Sequence, residues 1–178
     1  MDAQTDAMQQ IDTRPADFDF ESCFHTNYAR IARAIARIVG DPGRAEELAV
    51  EAFWKLWRTP QAHGENAGGW LYRTAVRLGL NDLRGHERRA RYERQADAPP
   101  AIPNPEEVHA AEQERQQVRR VLAALEPRDA ELLLLRSYGL TYEELAAAID
   151  VKPASIGTLI SRAQQAFRKE YVKQYGEQ

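Results

Sequence analysis

One cysteine, Cys23, stands in 178 residues. A lone thiol cannot close an intrachain disulfide, and with His25, His63, His86 and His109 scattered it supplies no zinc set of recognisable spacing. Redox and structural-metal readings drop out. Strand signals are scarce as well: β-branched residues are sparse, period-two alternation does not persist, and Ala, Leu, Glu, Arg and Gln dominate. No apolar run approaches the roughly 18 to 20 residues that cross a bilayer, and the first residues are acidic where a secretory signal is basic and then apolar. The expectation is a cytoplasmic protein with no membrane insertion. No nucleotide loop, metal set or Ser/Cys–His arrangement can be assembled, so neither an enzyme nor a bound cofactor is expected. Lys and Arg number 24 against 27 Asp and Glu, a net of -3. That balance excludes a uniformly basic nucleic-acid coat, yet an average can conceal segregated charge.

The composition changes along the chain. Residues 1–16 are rich in Asp, lack hydrophobic periodicity and read as a mobile acidic tail. Four of the nine prolines, Pro99, Pro100, Pro103 and Pro105, cluster where neither a helix nor a sheet can continue. The stretch 96–106 is therefore read as a linker between two domains, 17–95 and 107–175. Each is close to the smallest size at which one core is stable, which predicts two small helical bundles and an all-α fold.

In the first domain Phe20, Phe24, Tyr28, Ile31, Ile35 and Ile38 recur at three and four, and Gly40-Asp41-Pro42-Gly43 stops one helix and starts another. The second helix carries Ala45, Leu48, Ala49, Ala52, Phe53 and Leu56 on one face. Arg58–Gly69, with Pro60, Gly64, Gly68 and Gly69, reads as a loop, and a third helix follows from Trp70 to about Tyr92. At about 100° per residue, Arg73, Arg77, Arg84, Arg88 and Arg91 fall in one stripe with Trp70 and Asn81, while Leu71, Ala75, Leu78 and Leu83 lie away from it. Between residues 70 and 94 seven arginines face only Asp82, Glu87 and Glu93, a local net of +4 inside an acidic protein. Such a row can follow successive phosphates. A solvated helix face is the alternative. Trp70, after a Gly-rich loop and beside the stripe, is either core or a platform for base stacking.

The second domain begins with a helix to Leu125, followed by one that opens at Pro127 and runs through the apolar face of Leu132, Leu133 and Leu135. Thr141 and Glu144 form a capping-box pattern ahead of a short helix, Tyr142–Ile149. Asp150-Val151-Lys152-Pro153 breaks it from a second helix, about Pro153–Tyr171. Ala146, Ile149, Val151, Ile156, Ile160 and Ala163 can share one core, which leaves Lys152, Ser155, Thr158, Arg162 and Gln165 pointing outward. That is where a major-groove reader needs them, although an ordinary helical hairpin has the same spacing.

Leu125–Arg168 resembles region four of bacterial RNA polymerase sigma factors, and Phe20–Arg89 resembles region two. Ala45–Trp57 is similar to the polymerase-binding helix, and Trp70–Arg84 to the helix that handles the -10 element. A chain with only these two regions and a short linker resembles the extracytoplasmic-function (ECF) group. The resemblance implies docking on the clamp coiled coil of core RNA polymerase through Glu46, Glu47, Glu51, Trp54 and Lys55, with a second contact at the flap. It also implies that the 58–69 loop, with Asn66 and His63, captures a base flipped from the opened strand. Trp70, Arg73, Arg77, Asn81, Arg84, Arg88 and Arg91 would then hold the -10 strand and its backbone, and Lys152, Ser155, Thr158, Arg162 and Gln165 would read the -35 duplex. An anti-sigma factor is implied as a further partner.

Several positions depart from the family pattern. Asn81 stands where Asp is usual, Val50 replaces a common Gln, Asp150 takes the place of a turn glycine, and Gly157 and Leu159 replace basic residues. Two other functions remain open at this point: a stand-alone helix-turn-helix regulator, which would need a dimerisation or ligand-binding domain, and an adaptor that mimics a sigma factor without touching DNA.

Overall fold

The computed structural model describes residues 18–95 and 108–176. The 1–16 tail and the 96–106 linker lie outside the described residues. Seven α-helices and one 3-10 turn account for the described elements, with no strand among them. Three helices, α1 (Phe20–Val39), α2 (Pro42–Trp57) and α3 (Ala67–Gln95), form the N-terminal bundle. Four more, α4 (Val108–Ala124), α5 (Pro127–Ser137), α6 (Tyr142–Ile149) and α7 (Pro153–Tyr175), form the C-terminal one.

The ends of the helices follow from short-range chemistry. The Asp19 carboxylate accepts from the Ser22 amide at 2.9 Å, and α1 closes on Gly40 at φ 81°, where its N–H bonds the Ala36 carbonyl. Asp41 caps α2 by accepting from the Arg44 amide at 3.0 Å, with Pro42 in the first turn. The capping box at α6 is complete: the Glu144 amide donates to Thr141 Oγ1 at 3.2 Å and the Thr141 amide to Glu144 Oε2 at 2.7 Å. Asp150 ends α6 in the left-handed region at φ 56°, a conformation that Asp tolerates better than most side chains.

Several helix boundaries differ from the sequence expectation: α3 ends at Gln95 and α7 at Tyr175, each beyond the expected end. The third helix starts at Ala67, not Trp70, so Gly68 and Gly69 belong to its first turn rather than to the loop. Burial of Ala67 at 3% exposure anchors that turn, and the Asn66 carbonyl accepts from the Trp70 amide at 3.0 Å. Inside the same helix Gly79 packs closely against α1. A Cβ there would stand 3.2 Å from Ile38 Cδ1 and Cγ2, so glycine lets α1 and α3 approach closely despite costing about 0.5–1 kcal/mol relative to Ala in a helix.

Two apolar clusters hold the molecule together. One joins α1, α2 and the start of α3 through Ile31, Ile35, Leu48, Phe53, Leu56 and Leu71. The other crosses between the bundles, gathering Ile38, Val76, Leu80 and Leu83 with Leu122, Leu132, Leu135, Leu145 and Ile156. The two helical domains therefore share a core, with α3 packed against α1 and α2 on one side and against α4, α5 and α6 on the other. Two hydrogen bonds add to that contact: Tyr138 Oη donates to the Ala34 carbonyl at 2.8 Å and Arg119 Nε to the Arg37 carbonyl at 3.2 Å. Among the described residues no helix is long and apolar enough to cross a membrane.

Candidate nucleic-acid interface

The helix-turn-helix is built as the capping box and the left-handed turn dictate. Ala146, Ile156, Ile160 and Ala163 are buried, and Ile149 and Val151 pack partly against them. Lys152, Ser155, Thr158, Arg162 and Gln165 are all exposed along α7. Pro153 opens that helix, so its first backbone amides and the Lys152 side chain stand at one end of the exposed row. Gly157 is exposed too, and a Cβ there would lie 3.8 Å from the Tyr142 ring, whereas Leu159 packs against the core.

The arginine stripe of α3 is placed differently from a free solvated face. Arg77 Nε donates to both Glu131 oxygens at 3.0 Å, and Arg73 Nε lies 3.7 Å from Oε1 of the same carboxylate. Glu131 is only 6% exposed, the buried charged side chain of the described residues. Arg84 donates from Nε to the Ala123 carbonyl and from its terminal nitrogen to the Leu125 carbonyl, each at 3.4 Å. Burial pulls the Arg84 guanidinium below its ordinary value, opposed by the nearby Glu126 carboxylate. Arg88, Arg91 and Asn81 remain exposed, and Arg84, Arg88 and Arg91 line an open groove with Arg120 and Lys173. The stripe is thus divided: Arg73 and Arg77 face Glu131 of α5, Arg84 reaches the end of α4, and Arg88 and Arg91 face water.

Trp70 is partly buried against the N-terminal core. It also lines a cavity of about 200 Å³ with Asn66, Gly69 and Arg73, whose other wall is Glu144, Ala147 and Ala148 of α6. His63 serves as an anchor of its loop: its Nε2 lies 2.9 Å from the Leu56 carbonyl and its ring stacks on Phe18 at 4.3 Å.

On α2, Glu46 and Glu47 are exposed, Glu47 pairing with Arg44 at 2.6 Å, and Glu51 pairs with Lys55 at 3.4 Å. Arg44 also bonds Asp82 at 2.9 Å and so ties α2 to α3. Beside these charges Val50, Trp54 and Trp57 are 55%, 53% and 43% exposed, and the Arg58 guanidinium lies over the Trp54 ring at 4.7 Å. A patch of large apolar side chains rimmed by charge is a usual feature of a protein-docking face.

Glu131 and Tyr138 are the functional candidates that sequence reasoning did not single out. A signal existed for the first: Glu131 interrupts an apolar face, and Leu80 falls about 20° from Arg73 and about 60° from Arg77 around α3, so a strip of that helix had to be buried near the arginines.

Comparison with known proteins was made against this geometry. Residues 23–89 match sigma-70 region 2, and residues 115–166 match sigma-70 region 4. The ECF RNA polymerase sigma-E factor of Escherichia coli is 32% identical over 151 residues, covering 77% of this chain and 78% of that protein. The ECF sigma factor SigK of Mycolicibacterium vanbaalenii is 28% identical over 175 residues, covering 93% of this chain and 87% of the relative. SigE of Mycolicibacterium smegmatis is 31% identical over 156 residues, and there the match covers 83% of this chain but 60% of the relative's length. Among solved structures, the sigma factor RpoE from Bartonella quintana, crystallised with the anti-sigma factor NepR, shares the fold. Its TM-score is 0.53 at 18% identity, over 85% of this chain and 96% of that one.

Proposed function

The chain belongs to the ECF group of sigma factors, and from that premise we propose that it binds core RNA polymerase and directs promoter recognition and opening. The observation that carries this reading is the order of two elements in one chain: a region-2 bundle with a basic, Trp-bearing helix, then a region-4 helix-turn-helix whose exposed row is free. Either element alone would suit an ordinary regulator.

In this reading the α2 face of Glu46, Glu47, Glu51, Trp54 and Lys55 docks on the clamp coiled coil, with Val50 and Trp57 extending its apolar part. The C-terminal domain reaches the flap. Lys152, Ser155, Thr158, Arg162 and Gln165 enter the major groove of the -35 element, where hydroxyl and amide groups can bond base edges and the two cations can bond either base edges or phosphates. The loop residue Asn66 and the Trp70 ring receive a base flipped from the -10 strand, while Arg73, Arg77, Asn81, Arg84, Arg88 and Arg91 hold its backbone. Unstacking a base costs a few kcal/mol, and stacking on an aromatic side chain returns about 1–3 kcal/mol per base. Capture of the extruded strand thereby drives melting without an enzymatic step. The Bartonella relative was crystallised with an anti-sigma factor, and a partner of that kind is proposed here as well.

Run-off transcription with purified core RNA polymerase and a fragment library of the host genome tests the proposal. Specific transcripts are expected from the intact protein and are expected to be lost when Arg73, Arg77 and Arg84 are replaced by Ala. Absence of both transcript and core binding would overturn the reading in favour of a stand-alone regulator or an adaptor.

A further inference from the structure

The arginines of this protein differ in what they face. Arg44 pairs with Glu47 and Asp82, Arg77 with Glu131, and Arg115 and Arg119 share Glu112 at 3.0 and 2.8 Å. Three arginines of α1 have no such acid. Arg30, Arg33 and Arg37 are exposed, and among the described residues none of them forms an ion pair. Their spacing sets them within about 60° around the helix and along about 10.5 Å of its axis. Together they line an open pocket of about 240 Å³ with Tyr72 of α3 and with Ser137 and Tyr138 at the end of α5. No acidic side chain lines it. We propose that this pocket binds a short polyphosphate chain, of the kind that nucleoside triphosphates carry.

The walls and two of the arginines are held in place before any ligand arrives. Arg33 Nε donates to the Ala29 carbonyl at 3.0 Å, which leaves both terminal nitrogens of its guanidinium for an anion. The Arg30 guanidinium lies over the Tyr72 ring at 5.8 Å, and the Tyr72 and Tyr138 rings pack at 5.9 Å. The Tyr138 hydroxyl is fixed on the Ala34 carbonyl at 2.8 Å. Such preorganisation lowers the ordering cost of binding. The charge of Arg37 also reaches the pocket wall: burial pushes the Tyr138 phenol up to about 12, and Arg37 opposes that rise.

The chemistry of the ligand follows from the density of charge. A guanidinium offers parallel N–H donors that match paired phosphate oxygens. A nucleic-acid strand carries one phosphate per nucleotide and an acidic peptide one carboxylate per side chain, so either would leave most of the three cations in so small a pocket unmatched. A polyphosphate brings several charges into the same space. The larger basic groove of Arg84, Arg88, Arg91, Arg120 and Lys173 is less suited, because Glu87 and Glu170 line it and Glu170 pairs with Lys173 at 3.1 Å. None of the three α1 arginines takes part in the promoter reading, so the site stands or falls apart from it.

Full-length protein is titrated with inorganic tripolyphosphate by isothermal calorimetry, without magnesium and at about 0.15 M salt, where long-range attraction between exposed charges is screened. Saturation at one tripolyphosphate per chain is expected. Arg30→Gln, Arg33→Gln and Arg37→Gln, each verified by circular dichroism to keep its helices, should each weaken binding about tenfold or more. Arg33→Lys keeps the charge but not the parallel donors, and should fall between Arg33→Gln and the wild type. Arg88→Gln combined with Arg91→Gln should bind as the wild type does. Tripolyphosphate should also raise the midpoint of thermal unfolding, and by less in Arg33→Gln. ATP and GTP are the further arms: affinity equal to that of tripolyphosphate makes the phosphate chain the recognised part, greater affinity adds the tyrosine wall, and both support the site. Orthophosphate binding as tightly as tripolyphosphate overturns the polyphosphate class. So does saturation by a single-stranded 20-mer or a polyglutamate peptide where tripolyphosphate fails. Absence of saturable binding, or a loss that follows Arg88 and Arg91 and not α1, overturns the site.

Discussion

Two helices of this protein carry a row of polar and basic side chains, and the rows meet opposite fates. On α7 the apolar residues Ile156, Ile160 and Ala163 occupy one face, and among the described residues the row of Lys152, Ser155, Thr158, Arg162 and Gln165 stays exposed. On α3 the apolar residues lie on more than one face. Leu71 and Ala75 enter the N-terminal cluster, Val76, Leu80 and Leu83 enter the shared one, and the arginines run along the edge of the second. A helix on the outside of a bundle leaves its polar face free. A helix between two layers has its polar residues drawn into the contact, where they must find partners or remain desolvated. Glu131 meets that requirement for Arg77, while Arg73 Nε, 3.7 Å from the same carboxylate, stays without a hydrogen bond, and the end of α4 meets it for Arg84.

If α3 is the shared element, the largest effect should come from its apolar strip. Leu80 is 2% exposed, and Leu80→Ala is expected to cost about 2–5 kcal/mol in urea unfolding monitored by circular dichroism. Because both clusters rest on α3, the loss should move one cooperative transition instead of splitting it. Two separated transitions, with only one shifted, would break the comparison.

A smaller effect comes from Tyr138, whose hydroxyl bonds the Ala34 carbonyl across the domains. Burial, opposed by Arg37 and aided by Tyr72, pushes its pKa from 10 up to about 12. The folded state thus favours the neutral phenol. The associated stability is fully present below pH 10 and is lost as the pH rises through about 12, at most about 2–3 kcal/mol. Ultraviolet titration of the phenolate should follow the same curve as domain separation. Tyr138→Phe should remove the pH dependence at a cost of about 1 kcal/mol for the hydrogen bond. A Tyr138 that ionises near 10 would sink this account.

The smallest effect on stability belongs to α7, which is what sharpens the contrast. Lys152→Ala and Arg162→Ala should each shift unfolding by no more than about 0.5 kcal/mol, since both side chains are exposed. Their effect should appear in binding to duplex promoter DNA. A cation on a phosphate is expected to lower the slope of log affinity against log salt by about 0.9, and one on a base edge to relax sequence preference instead. A loss of stability comparable with that of Leu80→Ala would mean that the α7 row is not free.

Much of the fold was legible because the signals are local. The stop and restart at Gly40-Asp41-Pro42-Gly43, the Thr141 capping box and the helix-turn-helix break each act over three or four residues, and each formed where the spacing placed it. The start of α3 was less legible: Gly68 and Gly69 are loop formers by propensity, and burial of Ala67 overrode them. Among the site residues, exposure of the α7 row followed from periodicity. Pairing of Arg73 and Arg77 with an acid did not, because Glu131 lies 54 residues from Arg77 in sequence.

By itself, the sequence determined an all-α chain in two parts, the capped helix ends at Gly40, Asp41 and Thr141, the turn at Asp150 and the chemistry each polar row can perform. Those features are set by contacts within about one turn of helix, where spacing and residue type are sufficient. Only the tertiary structure decided which row is open and which is engaged. That choice depends on which apolar strips of α3 find a partner and on a carboxylate delivered from a distant helix, and neither is encoded in the periodicity of any single segment.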